Sequence, residues 1–550
     1  MTCWLKSSAR PFASVVLALA ILIALGLTPS RTDAQALYYR SIPLGDRAMG
    51  MGGAFTGIAS DPSATYYNPA GIMIGGRFQL MGSLSSIVFT RRTVDGGFNS
   101  PRVREDFESK QTTTLPSFVG TVVQFGRKRF GDHQFALAYS TFELNRQQFG
   151  AGATDIADEE SLDLRLGDSF RSRWYGISFA AQATRNVSLG LTAFLAQQNG
   201  DYSEDIGLSG GGTVQPNGQR VGGDFGTISS SFSVRTYHFV FRLGALYRIN
   251  PRWQIGFMFQ PPGVPLSQKG SVFRRTNMAN GGETSYFVFD QGDLSTRAPI
   301  PWELRTGVEF KANTLTTLSL DASVSGPVQY QRVFDTPSQL EGLDGTLGVY
   351  WANSTQRRWT PNIAIGAEHL FGKAVVSGGL FTNVSAAPNV PETSTEYRPE
   401  QVSMFGASFA IGIDTKGYRL GLGATGYFGR GDALSFTIDR DAQVTEYRRT
   451  KSTIAALVLY ISGAVSVASK GAKDVQGKIK KKKKKGAEEG ESGADADADT
   501  DADTDTDADA GADTDTDTGA DAGAGAGADT DTPGQSETGG ADGEPSPDSD

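Results

Sequence analysis

The chain has 550 residues, a net charge of −9 and a single cysteine, Cys3, ahead of an apolar run. Once a leader is removed no cysteine remains, which excludes a disulfide framework, thiol catalysis and a thiolate metal site. Residues 486–550 hold 22 acidic side chains and no Lys or Arg, and residues 470–485 hold nine Lys and one Asp. The body between leader and lysine run, 37–469, is therefore only about +3, which excludes a strongly basic nucleic-acid binder.

In chain order, Lys6 and Arg10 precede an apolar run over 15–27, and Ala34-Gln35-Ala36 offers a small-residue cleavage site. Residues 1–36 read as a secretory signal peptide, since the run is short for a membrane span. Residues 46–72 have a different chemistry. Ala48, Met49, Met51, Ala54, Phe55 and Ile58 are apolar without a period of two, and Gly50, Gly52 and Gly53 interrupt them. Asp61-Pro62 is a helix-start signal. Asn68-Pro69-Ala70-Gly71 is turn chemistry. Pro69 pushes Asn68 out of helical geometry, and Gly71 is expected to free the backbone for the turn into a first strand near Arg77. Residues 37–75 thus form a compact apolar element standing before a series of strands, and read as a plug.

The strands follow by strict alternation. In residues 253–259 one face is Trp253, Ile255, Phe257, Phe259, and the other is Gln254, Gly256, Met258. In residues 302–310 the apolar face is Trp302, Leu304, Thr306, Val308, Phe310, against Glu303, Arg305, Gly307, Glu309. Leu189, Leu191 and Leu195, Phe239 and Phe241, and Leu420 and Leu422 repeat the pattern. Short and long connections alternate. Strand cores near 77–90, 116–125, 133–142, 173–184, 187–198, 237–249, 252–260, 301–310, 315–325, 362–371, 374–384, 402–413, 418–428 and 453–466 make fourteen. An even count with short turns at one end and long loops at the other is the layout of an outer-membrane barrel, 76–469. A soluble β-sandwich is the alternative. The pieces 228–235, 284–289 and 434–447 of the long loops are expected to extend the wall, and 209–223, Gly- and polar-rich, to be mobile. Residues 453–469 are the last strand, with a short membrane helix as alternative.

The pieces Arg47-Ala48-Met49-Gly50, Gly52-Gly53-Ala54-Phe55, Asp61-Pro62-Ser63-Ala64 and Tyr67-Asn68-Pro69-Ala70-Gly71 resemble the N-terminal hatch of the FadL/TodX-type outer-membrane transporters of hydrophobic compounds. The stretch Pro301-Trp302-Glu303-Leu304-Arg305-Thr306-Gly307-Val308-Glu309-Phe310 looks like a strand of the same family. The resemblance implies a fourteen-stranded barrel with a hatch, reached separately above by counting. It also implies that Asn68, Pro69 and Ala70 lie in the hatch and matter for transport. Long-chain fatty acids or aromatic hydrocarbons are the implied substrates. Related openings occur in PorV-type barrels that serve protein secretion.

Enzyme chemistry finds little support. His133, His238 and His369 fall on different strands without metal-ligand spacing, and neither a Gly-x-Ser-x-Gly elbow nor a phosphate-binding glycine loop occurs. Glu303, Arg305 and Glu309 share a face and read as a polar network in the lumen. Lys480 to Lys485 reads as a solvated linker, and the Asp-rich 486–550 as a disordered tail.

The reading is an all-β protein, a fourteen-stranded antiparallel transmembrane β-barrel with an N-terminal plug and a disordered C-terminal tail. Its termini are expected in the periplasm of a Gram-negative cell. The expected function is hatch-gated, passive uptake of hydrophobic molecules without a cofactor, with outer-membrane lipid and lipopolysaccharide as surroundings. The alternatives are a PorV-like accessory of secretion and a general diffusion porin.

Overall fold

The computed structural model describes residues 38–467, less short internal stretches of which 335–354 is the longest. The signal peptide, His133, the lysine-rich segment 470–485 and the acidic tail 486–550 lie outside the described residues.

Fourteen strands build the wall. They are β1 (Phe78–Asn99), β2 (in two pieces, Arg104–Leu115 and Phe118–Gly126), β3 (Gln134–Ala157), β4 (Glu160–Gln182) and β5 (Val187–Gly210). Then come β6 (Asp224–Arg248), β7 (Trp253–Gln260), β8 (Glu303–Lys311), β9 (Thr316–Ser325) and β10 (Thr360–Phe371). The last are β11 (Ala374–Asn383), β12 (Met404–Asp414), β13 (Tyr418–Asp439) and β14 (Val444–Val467). Each pairs antiparallel with the next. β14 returns to β1 from Phe78↔Val467 to Val94↔Ser452, which closes the ring and rules out the sandwich.

Counted piece by piece the barrel has fifteen strands, against the fourteen expected. The difference is β2, whose two pieces meet at residues 116–117, where the sequence has Pro116. Proline has no N–H to give to a ladder. Residues 91–115 fall in a long connection between the strand cores read from the sequence, yet 91–99 continue β1 and 104–115 are strand, paired from Ser86↔Leu115 to Asn99↔Arg104; REDFESKQTTTL shows no apolar face. A wall standing in water on both sides needs no apolar face. The other loop pieces behave as expected. Residues 228–235 belong to β6, 284–289 to the strand Glu283–Ser295, and 434–447 to the ends of β13 and β14 where described. Residues 453–467 are strand, not helix.

The two faces separate cleanly. Phe257, Leu189, Leu191, Leu420 and Leu422 are exposed on the outside, whereas Gln254 and Met258 are buried in the lumen. The hatch fills that lumen. It consists of helix α1 (Asp46–Gly50), helix α2 (Ala64–Tyr67) and a 3-10 turn, Pro69–Met73. Asp61-Pro62 lies just ahead of α2, whose N-cap is Ser63 without a side-chain cap, and the Asp61 carboxylate accepts from Ser63 N (2.8 Å) and Ser63 Oγ (2.6 Å). Leu44, Met51, Phe55, Tyr66 and Tyr67 of the hatch form one core with Phe118, Phe142, Trp174 and Phe194 of the wall. Burying each large apolar side chain contributes about 1.5–3 kcal/mol.

Candidate functional site

Asn68, Pro69 and Ala70 are fully enclosed. Asn68 is extended, with φ −162°, as the following proline requires. Its Nδ2 donates to Thr56 O (3.1 Å) in the hatch and to Ala245 O (3.0 Å) in β6, and its Oδ1 accepts from Ala70 N (3.2 Å). One amide therefore links two hatch segments and the wall. The wall meets this motif with glycine. A Cβ at Gly190 would lie 2.4 Å from Pro69 C, at Gly244 2.4 Å from Asn68 Oδ1, and at Gly256 2.1 Å from Thr56 O. Gly190 and Gly244 face each other across β5 and β6, close to the short-turn end of the barrel. Any side chain there would displace the hatch. Gly71 has the same role within the hatch, 2.3 Å at its Cβ position from Ala59 O; close approach, not freedom to turn, explains that glycine.

Glu303 and Arg305 lie 2.6 Å apart, and Glu303 has a further partner, Arg242. Arg242 of β6 reaches Glu303 at 2.8 Å, donates to Tyr66 O and to Gln260 Oε1, and lies 3.9 Å from the centre of the Tyr66 ring. Arg305 lies 5.2 Å from the Tyr67 ring centre. Glu309 stands apart and faces Lys311 Nζ at 3.5 Å. A second unforeseen group ties the start of the hatch. Arg47 and Arg419 each reach Glu368 at 2.8 Å, and Arg419 lies 3.7 Å from Asp46. Burial works against the charge on Arg47, but Glu368 more than offsets it and its pKa rises. Burial also raises the Asp61 carboxyl, against the two Ser63 hydrogen bonds. Asp321 of β9 accepts from Phe55 N (3.0 Å) and Thr56 N (2.7 Å).

Wall side chains also donate to hatch carbonyls: Gln254 to Gly57 O (2.6 Å), Gln124 to Ile72 O (2.8 Å), Thr192 to Thr65 O (2.9 Å) and Ser408 to Gly50 O (3.0 Å). These residues share the parity of Gln254 and Gly256, so alternation located the face but not the partners. His238 and His369 bond Gln268 (3.1 Å) and Thr316 (2.8 Å) on separate strands.

Two cavities border the hatch. One is lined by Tyr38, Tyr39, Tyr66, Phe170, Trp174 and Ile300, with Arg242 and Glu303 among its polar groups. Tyr66, Phe142, Trp174 and Phe194 form its aromatic flank, with ring centres 5.2 Å apart for Trp174–Phe194 and 5.3 Å for Tyr66–Phe142. The other has Ile42, Val88, Met404, Tyr427 and Ile454 on one side and Gln111, Thr113 and Gln148 on another. Tyr38 lines both cavities. It is held by its own hydroxyl, which donates to Val402 O, and by Asn145 Nδ2, which donates to Tyr38 O.

The second cavity lies beside a weakness in the wall. β3 pairs with Phe118–Gly126 up to Phe118↔Phe142, and among the described residues no ladder joins it to Arg104–Leu115 beyond. Long contacts bridge the slot there, Arg146 Nη1 to Thr114 O and Gly150 N to Ser109 Oγ, both 3.4 Å.

No protein-family model matches the chain, and no curated protein matches it. Solved structures do. A Pseudomonas aeruginosa FadL homologue is 13% identical with a TM-score of 0.51, over 78% of this chain and 100% of that one. The P. putida toluene transporter TodX is 13% identical with a TM-score of 0.50, again over 78% of this chain and 100% of the other. The fold of residues 38–467, a hatch inside a barrel of this topology, is that of the FadL/TodX-type outer-membrane channels.

Proposed function

We propose that this protein is an outer-membrane channel for passive uptake of hydrophobic molecules, with long loops outside and short turns and termini in the periplasm. The carrying observation is the aromatic-lined cleft that rests on Tyr66 of the hatch, narrow in this closed state. An apolar solute gains there by leaving water, at about 25 cal/mol per Å² buried. Long-chain fatty acids and aromatic hydrocarbons are the candidate substrates; the toluene transporter among the fold relatives supports the second. Passage requires the hatch to move, and a ligand shifts that equilibrium only by binding the open state better. Asn68, Pro69 and Ala70 hold the closed state by pinning the hatch to the glycines of β5, β6 and β7. Tyr38 separates the aromatic cavity from the one at the wall slot, so displacing it joins the two. The solute then leaves sideways through the slot or downward past the hatch.

Uptake of a labelled long-chain fatty acid and of labelled toluene, by cells with and without the protein, tests this. Faster entry of at least one is expected. Equal entry of both, with the barrel folded in the outer membrane, would reject the channel reading in favour of a docking role.

A further inference from the structure

On the outside of β3 to β6, the ladder pairings line side chains up in rows that run across the tilted strands. Leu137, Phe179, Leu191 and Leu243 form one such row, and Tyr139, Ile177, Ala193 and Phe241 the next toward the loops. Thr141, Tyr175, Leu195 and Phe239 follow, then Glu143, Arg173, Gln197 and Tyr237. One step further the row reads Arg146, Arg171, Asn199, Arg235, and it continues to Lys269 on the strand Val264–Asn280. Arg146 joins it because of a bulge between Glu143 and Asn145 that reverses the parity of β3.

The height of this row is informative. From Leu189 to Asn199 the strand rises about 33 Å at about 3.3 Å per residue. At a tilt of about 40° that spans about 25 Å, the height of an outer-membrane barrel's apolar band. The cationic row thus begins where hydrocarbon ends, and Tyr175 and Tyr237 stand at the level where aromatic side chains mark that boundary. Of the five cations Arg146, Arg171, Arg173, Arg235 and Lys269, the first three gather on one carboxylate, and Lys269 Nζ donates to Asp293 O (3.4 Å). Glu143 lies 2.6 Å from Arg171, 3.4 Å from Arg173 and 3.8 Å from Arg146. The next carboxylate outward is Asp201, a row beyond. The opposite flank differs. Arg91 and Lys110 face Glu108, Arg430 faces Asp95, Arg448 faces Glu446, Arg449 faces Glu392 and Lys451 faces Asp432. On β3 to β6 the cations coincide with a shallow recess lined by Arg171, Arg173, Gln197 and Asn199. Two guanidinium forks beside two amides suit a phosphate group's oxygens.

We propose that this recess and its flanking cations bind the phosphate groups of the outer leaflet's phosphorylated glycolipid, lipid A. The inference rests on the proposed orientation, loops outward, but not on any transported substrate.

The test uses the full protein in detergent micelles, titrated with bisphosphorylated lipid A, the same lipid dephosphorylated, phosphatidylglycerol, and inorganic phosphate. Bound lipid is read by native mass spectrometry. Lipid A should bind at least tenfold more tightly than its dephosphorylated form and than phosphatidylglycerol, and 10 mM phosphate should compete only weakly. Arg235→Gln with Lys269→Gln should weaken lipid A binding severalfold, and adding Arg171→Gln at least tenfold. Arg448→Gln with Lys451→Gln, on the paired flank, should leave it unchanged. Heat-modifiable migration checks folding; should the triple variant misfold, the double variant decides. Equal binding of dephosphorylated lipid A, or full binding by the folded double variant, overturns the site. Tighter binding of phosphatidylglycerol than of lipid A also overturns it, and points to a reversed barrel. Fatty acid and toluene uptake by the double variant should be unchanged, so failure of the channel reading leaves this test standing.

Discussion

The two halves of the lumen hold the hatch by different physics. From β2 to β5 the wall offers Phe118, Phe142, Trp174 and Phe194, which pack on Tyr66 and on one another. From β8 to β13 it offers Asp321, Glu368 and Arg419, which bind the hatch by charge and hydrogen bonds, and the Glu303–Arg305 pair, whose guanidinium lies over the Tyr67 ring. Arg242 of β6 joins the halves, touching Tyr66 and Trp174 on one side and Glu303 on the other. Packing is tolerant, because a neighbouring side chain of similar volume can take up the space. A buried charge is not, because its partner is left without compensation. The aromatic half also borders the cavity, so the half that yields is the one a solute meets.

Substitutions can break this contrast. Glu303→Ala leaves Arg242 and Arg305 buried without their shared carboxylate and should cost about 3–5 kcal/mol in chemical denaturation. A loss under about 1 kcal/mol would mean that water already solvates these groups. Trp174→Ala empties a buried site beside the cavity and should cost about 3 kcal/mol. It should also slow toluene entry, since the cavity loses its largest wall; unchanged uptake would separate the cavity from transport. Thr192→Val removes the donor to Thr65 O and should cost about 1–2 kcal/mol, read by the same denaturation. Phe142→Leu keeps most of the volume and should cost less than about 1.5 kcal/mol. A larger loss there than in Glu303→Ala would reverse the assignment of tolerant and intolerant halves.

What the sequence made legible follows from local rules. Period two in residues 253–259 assigned Phe257 to the outside and Gln254 to the lumen, where Gln254 does meet the hatch. Pro69 fixed the extended backbone of Asn68. The same parity, applied to residues 239–247, leaves Arg242 opposite Phe239, Phe241 and Leu243; that signal was present but its partner was not. Arg242 and Glu303 lie on β6 and β8 with β7 between them, so their meeting depends on two registers and on barrel curvature. Arg47, Glu368 and Arg419 are joined across the hatch and two separate strands for the same reason. The bulge in β3 defeats alternation directly, since Leu144 and Asn145 both turn into the lumen after Phe142. The upper piece of β2 was hidden because, clear of the apolar band, its sequence need not alternate.

The central claim is that the Asn68 motif governs passage and does not merely brace the barrel. The most direct measurement compares uptake of a labelled apolar substrate with heat-modifiable mobility in an Asn68→Ala, Pro69→Ala variant. The account predicts faster uptake, because the motif holds the closed state, with the folded band intact. Normal uptake by the correctly folded variant would contradict it, and loss of the folded band would show that the motif serves stability alone.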